Sequence, residues 1–204
     1  APAVEAANLW IPPSLAFDRN MSAFDADLEA PFPFLYISFP SAKDPSFDAR
    51  YPSRHTMEVV TVAPYERFSR WAGTDWKRRP EEYEAVKKRL AERLLAELYR
   101  HVPAAAGAVS TWELSTPLST QHFANAPRGE MYGLAHTPER FESRDLRPST
   151  PIRGLFLTGQ DIGMCGVMGA LSGALVTASA MLRRIMFGEV TKAARTARRL
   201  SLPL

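Results

Sequence analysis

Glycine is the residue type whose placement in this sequence points most directly to chemistry. The chain has 11 glycines, and most of them are concentrated between positions 154 and 173. The glycines in this stretch are Gly154, Gly159, Gly163, Gly166, Gly169 and Gly173. Because glycine disfavours the interiors of helices and strands, this concentration indicates either close approach of the backbone to a ligand or close packing of a helix on a sheet. The two explanations are compatible, and both stay open.

The order of residues around these glycines predicts a strand, a loop and a helix. The apolar run 154–158 predicts a buried strand, a tight loop begins at Gly159, and a helix is expected to begin near Gly166 or Val167. Free N–H groups at the start of a helix attract anionic or electron-rich groups. Asp161 in the loop would repel a phosphate, but its carboxylate suits the hydroxyl groups of a ribose or a ribityl chain.

Motifs and composition exclude several other kinds of site. The sequence contains no G-x-G-x-x-G or G-x-x-x-x-G-K-[ST] phosphate-binding motif and no G-x-S-x-G nucleophile motif. Its single cysteine, Cys165, excludes a multi-cysteine metal site, and its histidines lack metal-ligand spacing, so no metal is expected. Cys165 is interpreted as a small packed residue at the helix start.

Positive charge is concentrated at the C-terminal end. From Arg183 onward, six basic residues accompany one acidic residue, a net charge of +5 where the whole chain carries +3. The favoured interpretation is a solvated helix end that offsets the helix dipole, and the next is contact with an anionic lipid surface. Nucleic acid is not expected as a partner, because no aromatic residue follows Phe187 and base stacking would have no platform.

Length and composition are those of a folded globular protein. The chain has 204 residues, of which 46% are hydrophobic and 23% charged, which excludes a disordered or low-complexity chain. No secretory signal is recognisable, so a cytoplasmic location is expected, with association to a membrane surface as an alternative. The uncharged run 164–182 approaches the roughly 20 residues of a membrane-spanning helix, although its many small residues and the polar loop before it disfavour that interpretation.

Two strands and one long helix are predicted ahead of the glycine-rich region. Residues 32–39 and 56–62 are rich in aromatic and β-branched side chains and predict strands that can pair antiparallel across a long loop. Residues 80–102 predict an amphipathic helix, because apolar residues recur there at spacings of three and four. The segment 111–149 is interrupted by prolines and is dense in polar and aromatic side chains.

The glycine-rich region resembles a known cofactor signature. The run Gly154–Asp161, followed by Cys165–Gly173, resembles the C-terminal FAD signature of the phytoene desaturase-like flavoproteins. Within those flavoproteins, these runs most resemble the all-trans-retinol 13,14-reductase (retinol saturase) and carotenoid isomerase group. The runs 115–122, 127–129 and 132–133 are similar to the segment that precedes the signature in that group.

The resemblance implies an α/β fold, or α+β as a fragment. The chain would be the C-terminal portion of an FAD-binding Rossmann-like flavoprotein with part of an antiparallel-sheet substrate domain. Residues 1–110 would belong to the substrate domain, 111–149 would be a connecting segment lining the active site, 150–187 would be the FAD-contacting strand, loop and helix, and 188–204 would be a basic tail. The family's dinucleotide-binding turn lies near its N-terminus, so a missing N-terminal FAD-binding portion of the same protein is the implied partner and the FAD site would be incomplete in this chain.

The resemblance also implies a function. The parent protein would be an FAD-dependent oxidoreductase that transfers hydride to or from a conjugated apolar polyene such as a retinoid or carotenoid, while activity of the chain alone stays open. No catalytic side chain is implied. The alternative is a non-catalytic binding or interaction module derived from the flavoprotein fold.

Particular residues carry these implied roles. Asp161 would bind the ribityl or neighbouring pyrophosphate region, and the N–H groups of Val167 and Met168 would face the pyrimidine edge of the flavin. The implied cofactor-binding set is Gly159, Asp161, Gly166, Val167, Met168 and Gly169. The candidates for lining the substrate site are His122, Arg128 and Tyr132.

Overall fold

A computed structural model describes residues 6–200, with side chains through residue 197. The chain forms two compact units, the first ending at Gly129 and the second beginning at Glu130. The last residues of the expected basic tail, 201–204, and the side chains of Arg198 and Arg199 lie outside the described residues.

The first unit contains a small antiparallel sheet. Its strands are β1 (Leu9–Ile11), β2 (Leu35–Ser38) and β3 (Glu58–Val60), and β2 lies in the middle. The strands expected at 32–39 and 56–62 correspond to β2 and β3, which pair antiparallel. Both strands are shorter than expected, and β2 is flanked by Pro33 and Pro40, which have no N–H group to donate to a neighbouring strand.

Along the chain, four helices lie between or after the three strands of the first unit. They are α1 (Phe17–Ala26), α2 (Phe47–Arg50), α3 (Glu81–His101) and α4 (Pro117–Ala124). Neither β1 nor α1 was expected, because residues 1–31 carry no clear hydrophobic period. The helix expected at 80–102 is α3, whose first turn holds three glutamates that favour the positive end of the helix dipole.

The core of the first unit lies between α3 and one face of the sheet. Leu90 and Leu94 of α3 belong to a buried cluster with Leu35, and Leu98 belongs to a second cluster with Ile37. Because side chains alternate along a strand, burial of Leu35 and Ile37 turns Tyr36 to the other face of β2.

The second unit is helical. It contains the short helix α5 (Pro138–Glu142), a 3-10 turn at Gln160–Ile162, α6 (Gly166–Leu182) and α7 (Met186–Leu200). The helix start expected near Gly166 is confirmed by α6. Mixed helices with a small antiparallel sheet agree with the expected α/β class of a fragment.

The prediction of a buried strand at 154–158 is wrong. Within the described part of the chain, strand pairing there is limited to a bridge between Ser149 and Phe156. No residue of the run is buried, and Leu155 is exposed. A strand needs neighbours for its N–H and C=O groups, and this run pairs only with the short segment just before it, at Leu157 N–H to Pro148 O, 2.8 Å.

No single helix among residues 6–200 is long and apolar enough to cross a membrane. The helices α6 and α7 reach that length and composition only when taken together, and the chain bends by 115° between them.

Candidate functional site

The glycines next to helix α6 fall into two groups that differ in what lies beside them. Gly169 and Gly173 are buried one turn apart on the same face of the helix. A Cβ atom on Gly169 would overlap the carbonyl oxygen of Met164, and one on Gly173 would overlap the carbonyl oxygen of Gly159. These two glycines therefore let α6 pack directly on the backbone of the preceding loop. This agrees with the expectation that the glycines allow a helix to pack closely, although the helix packs on a loop and not on a sheet.

Gly159 and Gly166 form the second group. Their φ angles are 98° and 80°, a left-handed region that residues with a Cβ rarely adopt. No described atom lies within 4 Å of the place where a Cβ would stand at either residue. Open space therefore borders the backbone at both ends of the loop 159–166, and a ligand that approaches a backbone needs such space.

The first turn of α6 presents backbone N–H groups to solvent. The N–H of Cys165 donates to His136 Nε2 at 3.0 Å, and the N–H of Gly166 donates to Gln160 Oε1 at 3.0 Å. The next two N–H groups belong to Val167 and Met168, and no acceptor among the described residues pairs with either. The two residues are 78% and 73% exposed. The helix start therefore offers two donors and the positive end of its dipole on an apolar, open surface.

Asp161 faces into the protein with one carboxylate oxygen. Its Oδ1 accepts the N–H of Leu134 at 3.0 Å and lies 4.0 Å from Nη2 of Arg140. Gly133 makes this approach feasible, because a Cβ at Gly133 would overlap Oδ1. Nothing in the described part of the chain donates to Oδ2, and the side chain is 47% exposed. Asp161 therefore keeps one oxygen for the protein fold and has the other available for a hydroxyl donor.

Arg140 holds the loop around Asp161 together. Its side chain is only 5% exposed. It donates to the carbonyl oxygen of Leu134 at 2.8 Å and to the carbonyl oxygen of Gln160 at 2.9 Å. It thus joins the loop near 134 to the loop near 160, and its positive charge lies behind the carboxylate of Asp161. The planar fork of arginine suits such a multiple contact better than a lysine ammonium does.

The short helix α5 places Arg140. The hydroxyl of Thr137 accepts the N–H of Arg140 at the helix start, where Pro138 occupies a position that needs no N–H. Hydrogen bonds from its own N–H and from the Thr137 hydroxyl lower the pKa of Glu139. The helix start is therefore well capped by side chains of its own segment.

His136 contacts the start of α6 from the same segment. Its Nε2 accepts the N–H of Cys165 at 3.0 Å. Arg140 Nη1 lies 3.0 Å from Nδ1 of the same ring. Cys165 itself is exposed, which corrects its interpretation as a packed residue.

The three substrate-lining candidates lie in different places. His122 of α4 stacks on Trp76 at a ring-centroid distance of 5.5 Å and meets Phe123 edge-on. Arg128 pairs with Glu66, and both belong to the first unit. Tyr132 is exposed in the second unit, directly before the residues 133–134 that contact Asp161. Tyr132 therefore adjoins, along the chain, the residues that contact Asp161. His122 and Arg128 both belong to the first unit, where they contact different residues.

Two residues of this site were not among the sequence-based candidates. Arg140 and His136 hold the loop and the helix start, yet a single sequence gives no reason to prefer one arginine or histidine over the others. The run Thr137-Pro138 was the available signal, because a capping threonine followed by proline predicts a helix start. That helix would have placed Arg140 in its first turn.

Several curated proteins are similar in sequence to this chain. The chain is 38% identical over 178 residues to the all-trans-retinol 13,14-reductase of Macaca fascicularis and 35% identical over 178 residues to that of Homo sapiens, in both cases covering 86% of this chain. It is 33% identical over 157 residues to an inactive all-trans-retinol 13,14-reductase of Danio rerio. No family model matches the chain, and no solved structure matches it.

These matches confirm the resemblance read from the glycine-rich region. The chain is a homologue of the all-trans-retinol 13,14-reductases over most of its length. It spans 29% of the length of the Macaca fascicularis and Homo sapiens proteins. The activity of those longer proteins therefore applies to this chain only as a proposal.

Proposed function

We propose that this chain is the C-terminal part of an FAD-dependent oxidoreductase that reduces a retinoid-like polyene. The observation that carries the proposal is the identity of 35–38% to proteins named for reduction of all-trans-retinol. That identity extends over 86% of the chain, so it includes both units and not only the glycine-rich loop.

The residues of the loop and of α6 fit the flavin and ribityl side of FAD. Backbone is accessible at Gly159 and Gly166, and unpaired N–H groups at Val167 and Met168 suit the carbonyl and nitrogen acceptors of a flavin ring. The free oxygen of Asp161 suits a ribityl hydroxyl. Gly169 contributes by a different route, since it lets α6 approach the loop closely enough to hold these groups together.

FAD, when bound, supplies hydride chemistry to a conjugated double bond, and this chain supplies placement and electrostatics. The positive end of the α6 dipole, at Val167 and Met168, favours negative charge at its N–H groups. Arg140 fixes the loop that carries Asp161. The exposed apolar side chains of Val167 and Met168 exclude water from whatever lies against them. His122, Arg128 and Tyr132 remain proposed substrate-lining residues, and the remaining FAD contacts would come from a Rossmann-like portion outside this chain.

A non-catalytic binding module is the second candidate function. The observation that favours it is the match to a Danio rerio protein named as inactive, at 33% identity over 76% of this chain. The overall match therefore does not by itself distinguish an active from an inactive protein.

One experiment separates the two candidates. The protein is purified at its full natural length, its flavin content is read from its absorbance spectrum, and the bound flavin is reduced without oxygen. All-trans-retinol is then added, and flavin reoxidation is followed together with chromatographic analysis of the retinoid. Bound flavin with conversion of retinol to a dihydro product supports the reductase. Bound flavin without conversion supports the non-catalytic module, and a protein without flavin contradicts the FAD site.

Contact with a membrane surface is part of the proposal and rests on α7. Phe187 and Val190 are exposed on that helix, and Lys192 and Arg195 are exposed beside them. A helix with an apolar side and a basic side suits the surface of an anionic bilayer, from which an apolar substrate would also come. Sedimentation with vesicles that contain phosphatidylserine tests it, and binding that persists after Lys192→Glu and Arg195→Glu together would contradict it. A cytoplasmic location likewise stays a proposal.

A further inference from the structure

A cavity of about 230 Å³ lies in the first unit, between the start of α3 and the segment that leads into α4. Its walls come from residues 76–79, from the first two turns of α3, from residues 113–115 and from α4. None of its lining residues has a role in the proposed function. The cavity is smaller than the about 300–1,000 Å³ typical of sites for drug-sized ligands, so it suits a small ion or one end of a larger molecule.

Arg79 in the wall of this cavity is a half-buried cation without a charged partner. Its Nη1 donates to the hydroxyl of Tyr83 at 3.0 Å and its Nη2 to the carbonyl oxygen of Leu118 at 3.2 Å, and both acceptors are neutral. Its Nε is buried, and neither an acceptor for it nor an ion pair with Arg79 exists in the part of the chain that the structure describes. Because buried donors are nearly always paired and buried charges need a counter-charge, Arg79 favours an anion beside it.

Two lysines add positive charge to the same cavity. Lys87 of α3 is half-buried, and no carboxylate among the described residues forms an ion pair with it or with Lys77. Lys77 has a φ of 63°, in the left-handed region that residues with a Cβ rarely adopt, and its Nζ lies 4.4 Å from the centre of the Trp76 ring. Such a conformation persists only where the surrounding structure holds it, and it is concentrated at binding sites.

The remaining polar groups of the cavity are hydroxyls and two carboxylates. Ser119 is half-buried, and its Oγ accepts the N–H of Thr116 at 3.1 Å, which leaves its O–H able to donate to a ligand. Glu84 and Glu113 also line the cavity, but both are exposed, so water screens their charge. The half-buried part of the wall therefore offers donors and positive charge, and the carboxylates belong to its solvent-exposed part.

We propose that this cavity binds a phosphate group, held by Arg79, Lys77, Lys87 and the hydroxyl of Ser119. A phosphate carries between one and two negative charges at neutral pH and has several strong acceptor oxygens, so it can accept from a guanidinium, an ammonium and a hydroxyl together. The ring of Trp76 lines the same cavity and can pack against an organic group that carries the phosphate. The site goes beyond the proposed function and does not depend on it.

The test measures phosphate binding to the protein at its full natural length, by isothermal titration calorimetry at constant ionic strength. Inorganic phosphate and adenosine monophosphate are the two probes, because the phosphate group can be a free ion or part of a nucleotide. Lys87→Met is compared with Lys88→Met. Lys88 is the next residue of α3, does not line this cavity and lies 3.8 Å from Glu92. Thermal melting checks that each variant is folded.

We expect saturable binding of inorganic phosphate that Lys87→Met weakens about tenfold, because a charge-assisted hydrogen bond is lost. Lys88→Met is expected to change the affinity by less than about twofold. Glu113→Gln is expected to tighten binding, because it removes a like charge from the cavity. Arg79→Lys keeps a positive charge but has no Nε, and it is expected to weaken binding; if that variant does not fold, Lys87→Met and Glu113→Gln still decide the question.

The two probes distinguish the source of the phosphate. If adenosine monophosphate binds more tightly than inorganic phosphate and Trp76→Ala removes that difference, the group belongs to a nucleotide. If adenosine monophosphate binds no more tightly, the cavity takes the free ion. The inference is overturned if the folded protein binds neither probe saturably, or if Lys87→Met binds phosphate as tightly as Lys88→Met does.

Discussion

Asp161 has two tasks that different substitutions can separate. One carboxylate oxygen holds the N–H of Leu134, and the other is available to a ribityl hydroxyl. Asp161→Asn keeps a side-chain carbonyl for Leu134 but removes the charge, whereas Asp161→Ala removes both interactions.

We therefore expect Asp161→Asn to fold normally and to lose flavin, and Asp161→Ala to lose both flavin and stability. Loss of a charge-assisted hydrogen bond to a hydroxyl weakens FAD binding by roughly 1.5–3 kcal/mol. The flavin-to-protein ratio and the melting temperature of both variants check this. Full flavin content in a folded Asp161→Ala variant would refute the cofactor role of this side chain.

Arg140 is expected to matter for the fold of the second unit more than any other arginine there. Arg140→Met fills a similar space but leaves the carbonyl oxygens of Leu134 and Gln160 without their donor. A fully buried acceptor left unpaired lowers the free energy of unfolding by about 1–3 kcal/mol, and these two partly buried acceptors are expected to fall at or below the lower end of that range. The exposed Arg144 is the control, and Arg144→Met is expected to have little effect. Equal unfolding curves for the two variants, measured by denaturant titration, would show that the Arg140 contacts contribute nothing.

At the level of single residues, the sequence predicted where helix α6 begins but not the side chains that hold that helix start in place. The accessible N–H groups of Val167 and Met168 agree with a helix start predicted from glycine placement. The burial of Arg140 was not predictable, because burial of a charged side chain depends on carbonyl oxygens from two separate loops. No local pattern reports that these loops meet.

Among the elements, α6 is the one whose packing depends most on glycine. Gly169→Ala and Gly173→Ala each place a methyl group on a carbonyl oxygen of the preceding loop. Overpacking typically costs about 1–3 kcal/mol, and backbone cannot move aside as a flexible side chain can. We expect both variants to melt at lower temperature than the unaltered protein and to lose flavin with the displaced loop.

Gly188 of α7 is the matched control for these substitutions. It also lies in a helix, but nothing stands within 4 Å of its Cβ position. Gly188→Ala should therefore raise helix stability by up to about 1 kcal/mol. Thermal melting followed by circular dichroism compares the three variants. If Gly169→Ala and Gly173→Ala melt like Gly188→Ala, α6 does not rest on the loop backbone.

The elements that sequence predicted well are those with a complete local signal. Helix α3 has an apolar face, a proline at its start and acidic residues in its first turn, so its bounds were close to those observed. The run 154–158 has the composition of a buried strand but exposes Leu155. The composition of a segment indicates that it can form a strand. Strand formation also requires a neighbouring strand to hydrogen-bond with, and the described residues do not provide one for the run 154–158.

At the scale of the whole molecule, the part proposed for this chain is the flavin and ribityl side of the FAD site, at the loop and helix start of the second unit. The chain spans 29% of the length of two retinol 13,14-reductases. A dinucleotide also needs contacts for its phosphates and adenosine, and the sequence has no G-x-G-x-x-G turn to supply them.

We therefore expect the 204-residue chain alone to bind FAD weakly, and the protein at its full natural length to bind it tightly. The chain alone offers two backbone donors and one carboxylate oxygen to the flavin and ribityl end, and these would have to offset the whole entropy lost on binding. Titration of FAD, followed by quenching of flavin fluorescence, measures both affinities. FMN is the control, because it lacks the adenosine half and should bind the chain alone about as well as FAD does. Submicromolar binding of FAD by the chain alone, with much weaker binding of FMN, would show that the adenosine half is recognised within these 204 residues and that the cofactor site lies elsewhere than at α6.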